Sequence, residues 1–106
     1  MTIRILGVPY AFRMTTDKDD MALCDNNGYC DAYAKVIAIE REFHDNHPNS
    51  IKDPIAHQQT VKRHEVIHAY LFESGLTGYA ENEELVSWIA WQFPKLIETF
   101  QEIGAI

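Results

Sequence analysis

The chain has 106 residues, of which 46% are hydrophobic and 24% are charged, a composition typical of one globular domain rather than of a disordered or fibrous protein. Sixteen acidic against nine basic side chains give a formal net charge of -7. Without a run of Lys or Arg, this charge argues against direct binding of DNA or RNA. We find no signal peptide and no apolar run of membrane-spanning length, so we expect a cytoplasmic protein of its host cell, with no membrane partner.

The first forty residues predict short β-strands. Residues 3–10 are rich in β-branched side chains and indicate one strand, with Pro9 at an edge or at the strand end. A strong turn signal at residues 25–28 precedes two further short strands, 29–33 and 35–40, which could pair as a hairpin. The prediction is a small antiparallel sheet of about three strands.

A long helix is predicted after the strands. Asp53 suits the N-cap and Pro54 the first helical position. We expect the helix to run to about Phe72, with Gly75 as a stop in the left-handed conformation. Apolar side chains at steps of three and four residues predict that this helix is largely buried.

A second helix is predicted near the C-terminus. Asn82 can cap a helix over residues 83–93, and Pro94 should kink or end it. Beyond Pro94, apolar residues at helical spacing predict a further amphipathic turn or two that packs back on the core. Together these elements predict an α+β fold in one domain over residues 1–106.

His64-Glu65-Val66-Ile67-His68 is the pattern H-E-x-x-H. On a helix, residues four apart lie one turn above each other, so both imidazoles can reach one tetrahedral metal ion. Glu65 is offset around the helix and is placed to take a proton from a zinc-bound water. The pattern therefore predicts Zn²⁺ bound by His64 and His68, with Glu65 catalytic. The simpler alternative is an exposed helix that carries two solvated histidines.

A catalytic zinc needs a third protein ligand and an open fourth position. The best candidates lie within residues 81–84, at the start of the second predicted helix. Two antiparallel helices joined by a short loop would bring this start near the histidines. Both Glu83 and Glu84 are possible ligands, and the one that is not a ligand has the ordinary role of an acidic residue in a first helical turn.

Residues 82–87, with the sequence N-E-E-L-V-S, resemble the N-E-x-x-x-D glutamate helix of gluzincins such as thermolysin. This resemblance implies that Glu83 is the third ligand and Glu84 the alternative. Ser87 departs from the pattern, because gluzincins have an Asp there that orients a histidine ligand.

Longer stretches resemble the short H-E-x-x-H proteins carried by phages and prophages of Gram-positive bacteria. They are residues 63–76, 82–88 and 92–95, together with 5–10 and 28–31. That group is similar to minimal gluzincins and to the ImmA/IrrE-type peptidases. The resemblance implies a zincin-like packing of the sheet on the H-E-x-x-H helix and the glutamate helix, and a bound zinc ion.

Three functions follow as hypotheses. The first is a zinc-dependent peptidase of phage type, in which an edge strand over residues 35–40 pairs with a peptide or protein substrate. The alternative is a non-catalytic phage protein, stabilised by zinc, that binds and modulates a host protein. Trp88 and Trp91, with Phe93, would serve such a surface if they are exposed. A third hypothesis, by analogy with the ImmA/IrrE-type group, is a regulatory protease that acts on a repressor.

Several other side chains could bind a metal ion or act in the cleft. Cys24 and Cys30 are expected to be free thiols, because their spacing is longer than that of most zinc-binding pairs. His44 and His47 could hold a second metal, although a polar turn is the simpler interpretation. Three more residues are candidates for lining the cleft or for stabilising negative charge in it: His57, Tyr70 and Tyr79.

Overall fold

A computed structural model of the chain describes residues 1–42 and 52–106, and these residues form an α+β fold. The strands are β1 (Thr2–Ile5), β2 (Val8–Thr15), β3 (Gly28–Asp31) and β4 (Val36–Glu40). The helices are α1 (Pro54–Glu73), the short α2 (Thr77–Ala80) and α3 (Glu83–Glu102), and a single 3₁₀ turn covers Met21–Leu23. Within the described ranges, no helix is both long enough and apolar enough to cross a membrane.

The single strand predicted over residues 3–10 is wrong, because the chain reverses in its middle. Leu6 and Gly7 have positive φ angles of 49° and 82°, and Ile5 pairs with Val8 across the turn. Two consecutive residues with positive φ make the tight turn that matches the twist of a β-hairpin. Gly7 allows this conformation, and the surrounding run of apolar residues concealed it from the sequence pattern.

The sheet has four strands in the order β1-β2-β4-β3, not about three. It is mixed rather than antiparallel, because β2 and β4 are parallel whereas β1 and β2, and β3 and β4, are antiparallel. The predicted hairpin of the last two strands is confirmed. However, β4 lies between β2 and β3, so residues 35–40 do not supply an edge strand. The edge on that side is β3.

Helix α1 forms where its sequence predicts, but the prediction that it is largely buried is wrong, because only Glu65 and Ala69 of its 20 residues are buried. The Asp53 carboxylate accepts a hydrogen bond from the Ala56 amide, Pro54 is in the first turn, and Gly75 follows the helix end with φ 78°. The helix packs on the sheet, and five buried residues form the shared core: Ile5, Tyr10, Ile37, Ile39 and Ala69.

Helix α3 begins at the predicted cap, where the Asn82 side chain accepts a hydrogen bond from the Leu85 amide. The helix does not end at Pro94, which was one of the two predicted outcomes, because it continues to Glu102. Proline has no N–H to donate to the carbonyl four residues earlier, which belongs to buried Ala90. Arg63 of α1 replaces that donor, with its Nε 2.7 Å from the Ala90 oxygen. This bond also ties α3 to α1.

Candidate metal centre

Three metal-ligating side chains converge between α1 and the start of α3. His64 Nε2 lies 2.9 Å from one carboxylate oxygen of Glu83, and His68 Nε2 lies 3.0 Å from the other. The two imidazole Nε2 atoms are 3.1 Å apart. The histidines meet because they are one helical turn apart, and Glu83 reaches them because α2 reverses the chain between the two long helices.

The hydrogen bond on the far side of His68 determines what its Nε2 atom can do. The Nδ1 atom faces the carbonyl oxygen of Ala80, which can only accept, so Nδ1 must carry the proton. In a neutral imidazole the other nitrogen then has only a lone pair. Such a lone pair would point at a carboxylate oxygen of Glu83 and at the imidazole of His64, and a cation bound between these groups would satisfy all of them.

The donor set fits zinc. Two imidazoles and one carboxylate are the ligands of several catalytic zinc sites, and the three donor atoms form one group that could hold a metal ion. In a tetrahedral site with bonds of about 2.0–2.2 Å, the donors lie roughly 3.3–3.6 Å apart, a few tenths of an ångström more than the distances seen here. Glu83 is 67% exposed, so it is free to move outward by the few tenths of an ångström required.

The environment of His64 also favours a metal ligand. Partial burial, followed by the nearby His68, lowers the pKa of His64, and Glu83 opposes this shift only in part. A lowered pKa keeps the ring neutral near pH 7, which is the state in which an imidazole binds a metal.

Glu65 differs from the ligands because it faces the sheet. It is only 7% exposed, and its carboxylate makes no hydrogen bond to any residue that the structure describes. Burial, and then the negative charge of Glu83, raises the pKa of Glu65 to about 7. A buried carboxyl group with such a pKa can both accept and return a proton near neutral pH.

Gly28 allows α1 to approach the sheet closely enough to place Glu65. A Cβ atom at Gly28 would lie 2.8 Å from Val61 Cγ1, 3.1 Å from the Ala38 oxygen and 3.2 Å from Glu65 Cγ. Any side chain at Gly28 would therefore push the helix away. In the sequence, Gly28 indicated only a turn, and nothing in the pattern showed this packing role.

The metal group opens into a cleft of about 810 Å³ that also contains Glu65. Strand β3 and the turn after it form one side of the cleft, and α1 with the end of α2 forms the other. Since β3 is an edge strand, its outer backbone groups are available to pair with an extended chain lying in the cleft.

The cysteines are not part of the metal group. Both are free, with Cys24 exposed and Cys30 partly buried. Cys30 lines the cleft, but it is not among the converging donor atoms. Burial, and then Glu65 and Asp31, raises the pKa of the Cys30 thiol to about 12, so it stays protonated at neutral pH.

The other candidates lie at different places. His57 is half-buried near Asn27 Nδ2, at 3.0 Å, and lines a smaller cavity of about 240 Å³ that also touches His64 and Glu65. Tyr70 and Tyr79 do not line the main cleft, whereas two tyrosines that the sequence did not single out, Tyr29 and Tyr33, do. The suggested second metal site at His44 and His47 lies outside the described residues.

The group that orients a histidine is a backbone atom. The gluzincin pattern predicts an acidic side chain at position 87, where this chain has Ser87. In the structure the carbonyl of Ala80 bonds His68 instead. A backbone acceptor leaves no signal in the sequence, so pattern reasoning could not have found it.

Comparison of the chain with protein families, with curated proteins and with solved structures gave no match.

Proposed function

We propose that this chain is a zinc-dependent peptidase whose zinc ligands are His64, His68 and Glu83. The observation that carries the proposal is the position of Glu65, a buried carboxylate without a described hydrogen-bond partner that faces the cleft beside the metal group. A zinc site that served only for folding would have no need of a largely buried acid that reaches the cleft next to it.

In this proposal the metal ion and Glu65 have different roles in peptide hydrolysis. A bound zinc ion supplies Lewis acidity, which polarises a carbonyl group and makes water a better nucleophile. Glu65 takes the proton from the attacking water and passes it to the departing amine, so it acts first as a base and then as an acid. The low polarity around Glu65, which raises its pKa, makes both transfers feasible near neutral pH.

Strand β3 would hold the substrate. An extended peptide that adds to its outer edge gains backbone hydrogen bonds and passes the metal group. The proposal includes a zincin-like packing of the sheet against α1 and α3, and the kinship with small phage-type H-E-x-x-H proteins suggested by the sequence. A regulatory protease that cleaves a repressor would be one version of this function.

The test combines zinc analysis with one isosteric substitution. Glu65→Gln should keep one zinc ion per chain but lose the zinc-dependent cleavage of a random peptide mixture by at least about 100-fold, the usual contribution of a positioned acid–base group. Glu84→Gln is the matched control, since Glu84 is an exposed glutamate outside the metal group. Undiminished cleavage by Glu65→Gln would exclude this mechanism.

A second candidate function rests on the aromatic side chains of α3. Trp88 and Trp91 are 54% and 64% exposed and lie three residues apart, so they share one helix face. Exposed tryptophans are typical of binding surfaces, which supports a non-catalytic protein that binds a host partner. This function would replace the first if Glu65→Gln keeps the biological effect of the wild type while Trp88→Ala loses it.

A further inference from the structure

We infer that the cleft selects substrates with a positively charged side chain, Lys or Arg, next to the scissile bond. This inference rests on the proposed peptidase function and names its substrate class. Among the residues that the structure describes, the charged side chains that line the cleft around the metal group are acidic apart from the two histidines.

The described lining of the cleft has no Lys or Arg. It contains four carboxylates: Asp31, Glu65, Glu81 and Glu83. A divalent ion cancels two negative charges, so the ionised cleft remains negative with the metal bound. A concave site lined by one sign of charge attracts ligands of the opposite sign more strongly than a flat surface does.

Lys35 is a positive charge beside the cleft that already has an acidic partner. Lys35 is bonded through its Nζ to a carboxylate oxygen of Glu73, which also accepts a hydrogen bond from the Tyr10 hydroxyl. The same ammonium group lies 5.5 Å from the ring centre of Phe72. Lys35 does not line the cleft, and its ion pair with Glu73 weakens its effect on the carboxylates that do.

Two of the cleft carboxylates are free to bind a ligand. Asp31 uses only its Oδ1 atom, which accepts hydrogen bonds from the amides of Tyr33 and Ala34, so its second oxygen remains available. Glu81 is exposed at the end of α2. Asp31 and Glu81 therefore offer negative charge from the two sides of the cleft.

Aromatic rings lie beside these charges. Tyr33 and Phe72 line the cleft and contact each other edge to face, with ring centres 5.5 Å apart. Aromatic surface packs against the aliphatic part of a Lys or Arg side chain, and the ring of Tyr33 can attract its charged end. An acidic or a short polar substrate side chain gains neither contact.

Glu65 provides an independent sign that the cleft is built to receive a ligand. Glu65 as a residue is more than nine-tenths buried, lines the cleft and has no hydrogen-bond partner among the described residues. A polar group in such surroundings is favoured by a partner, which a ligand or water in the cleft would supply.

The test uses three peptide hydroxamates that anchor on zinc and differ in one side chain: Arg, norleucine or Glu. For the zinc-loaded wild type, we expect the Arg probe to bind at least about ten-fold more tightly than the Glu probe, with norleucine between them. The difference should shrink at high salt, which screens charges in an open cleft. Binding is measured directly, so the test does not require turnover.

Charge-neutral variants then locate the effect. The double substitution Asp31→Asn and Glu81→Gln should reduce the preference for Arg over Glu to less than about three-fold, and Asn at position 31 keeps the oxygen that the turn needs. Glu98→Gln is the matched control, because Glu98 is an exposed carboxylate of α3 that does not line the cleft. It should leave the preference unchanged.

The outcomes separate this inference from the function on which it rests. Equal affinity for all three probes, or an Arg preference that survives the double substitution, would overturn the inference and leave the peptidase proposal intact. If no hydroxamate binds to protein that holds zinc, the cleft does not open onto the metal, and both proposals fail.

Discussion

At the scale of single residues, the two contacts of the His68 ring support the candidate metal centre. Its Nδ1 atom donates to the Ala80 carbonyl, which turns Nε2 toward the carboxylate of Glu83. Second-sphere hydrogen bonds of this kind fix the tautomer and orientation of metal-binding histidines. The site therefore depends on α2, which carries Ala80, as much as on the helix that bears the motif.

The third ligand can be identified by comparing two adjacent glutamates. Glu83→Ala should weaken zinc binding by more than about 100-fold, because even groups that only orient ligands contribute 10–100-fold. Glu84→Ala should leave the affinity within about three-fold, because Glu84 is outside the converging group. Zinc affinity is measured by competition with a chelating dye. If Glu84→Ala weakened zinc binding and Glu83→Ala did not, Glu84 would be the third ligand.

Gly28 and Gly78 form a matched pair for the packing of α1. Gly28→Ala should lower the free energy of unfolding by about 1–3 kcal/mol, the usual cost of overpacking, since the new methyl group would overlap Val61 and the Ala38 carbonyl. Gly78→Ala, in α2, meets no atom within 4 Å and should be neutral or stabilising by up to about 1 kcal/mol. Urea denaturation measures both, and equal effects would contradict the close approach at Gly28.

At the site, the sequence could predict the side chains but not their surroundings. The spacing of His64 and His68 on a capped helix predicts that their rings meet, and the structure brings Glu83 to them. The burial of Glu65 and the role of the Ala80 carbonyl depend on how α1 packs against β3 and α2. Those contacts join residues far apart in the chain, and no local pattern encodes them.

At the scale of secondary structure elements, the predictions succeeded where end signals were explicit. Asp53 and Asn82 cap α1 and α3 as expected. The β1–β2 hairpin was missed because its two-residue turn, Leu6-Gly7, lies inside an apolar run. The parallel pairing of β2 and β4 was missed because it joins strands separated by β3, a non-local choice that alternation of polar and apolar residues does not specify.

The continuation of α3 through Pro94 leads to a prediction about Arg63. Arg63→Met keeps the aliphatic stem but removes the donor to the Ala90 carbonyl. The free energy of unfolding should fall by about 2 kcal/mol, as expected when a hydrogen bond from a charged group is lost and a buried carbonyl is left unpaired. Chemical denaturation of the zinc-free protein measures this effect without interference from metal binding.

Pro94→Ala provides the control for this prediction. An alanine at position 94 restores the amide that can bond the Ala90 carbonyl within the helix. In that background, Arg63→Met should cost at least about 1 kcal/mol less than in the wild type, and the double-mutant cycle measures the difference. Additive effects of the two substitutions would show that Arg63 does not replace the missing helical donor.

At the scale of the whole molecule, the fold brings one sheet edge and two helices around a single cleft. A domain of about 100 residues buries a modest core, so a ligand that binds only the folded state adds usefully to its stability. The same ion would thus stabilise the contact between α1 and α3 and supply the chemistry of the cleft. Both roles require that the metal bind where the three side chains meet.

The most direct test is a crystal structure of zinc-loaded protein with anomalous scattering measured at the zinc edge. The account predicts one strong peak per chain, bonded to the Nε2 atoms of His64 and His68 and to a carboxylate oxygen of Glu83, with Glu65 facing the remaining coordination position. A zinc peak at other residues, or protein that binds no zinc while its two imidazole rings turn away from each other, would contradict it.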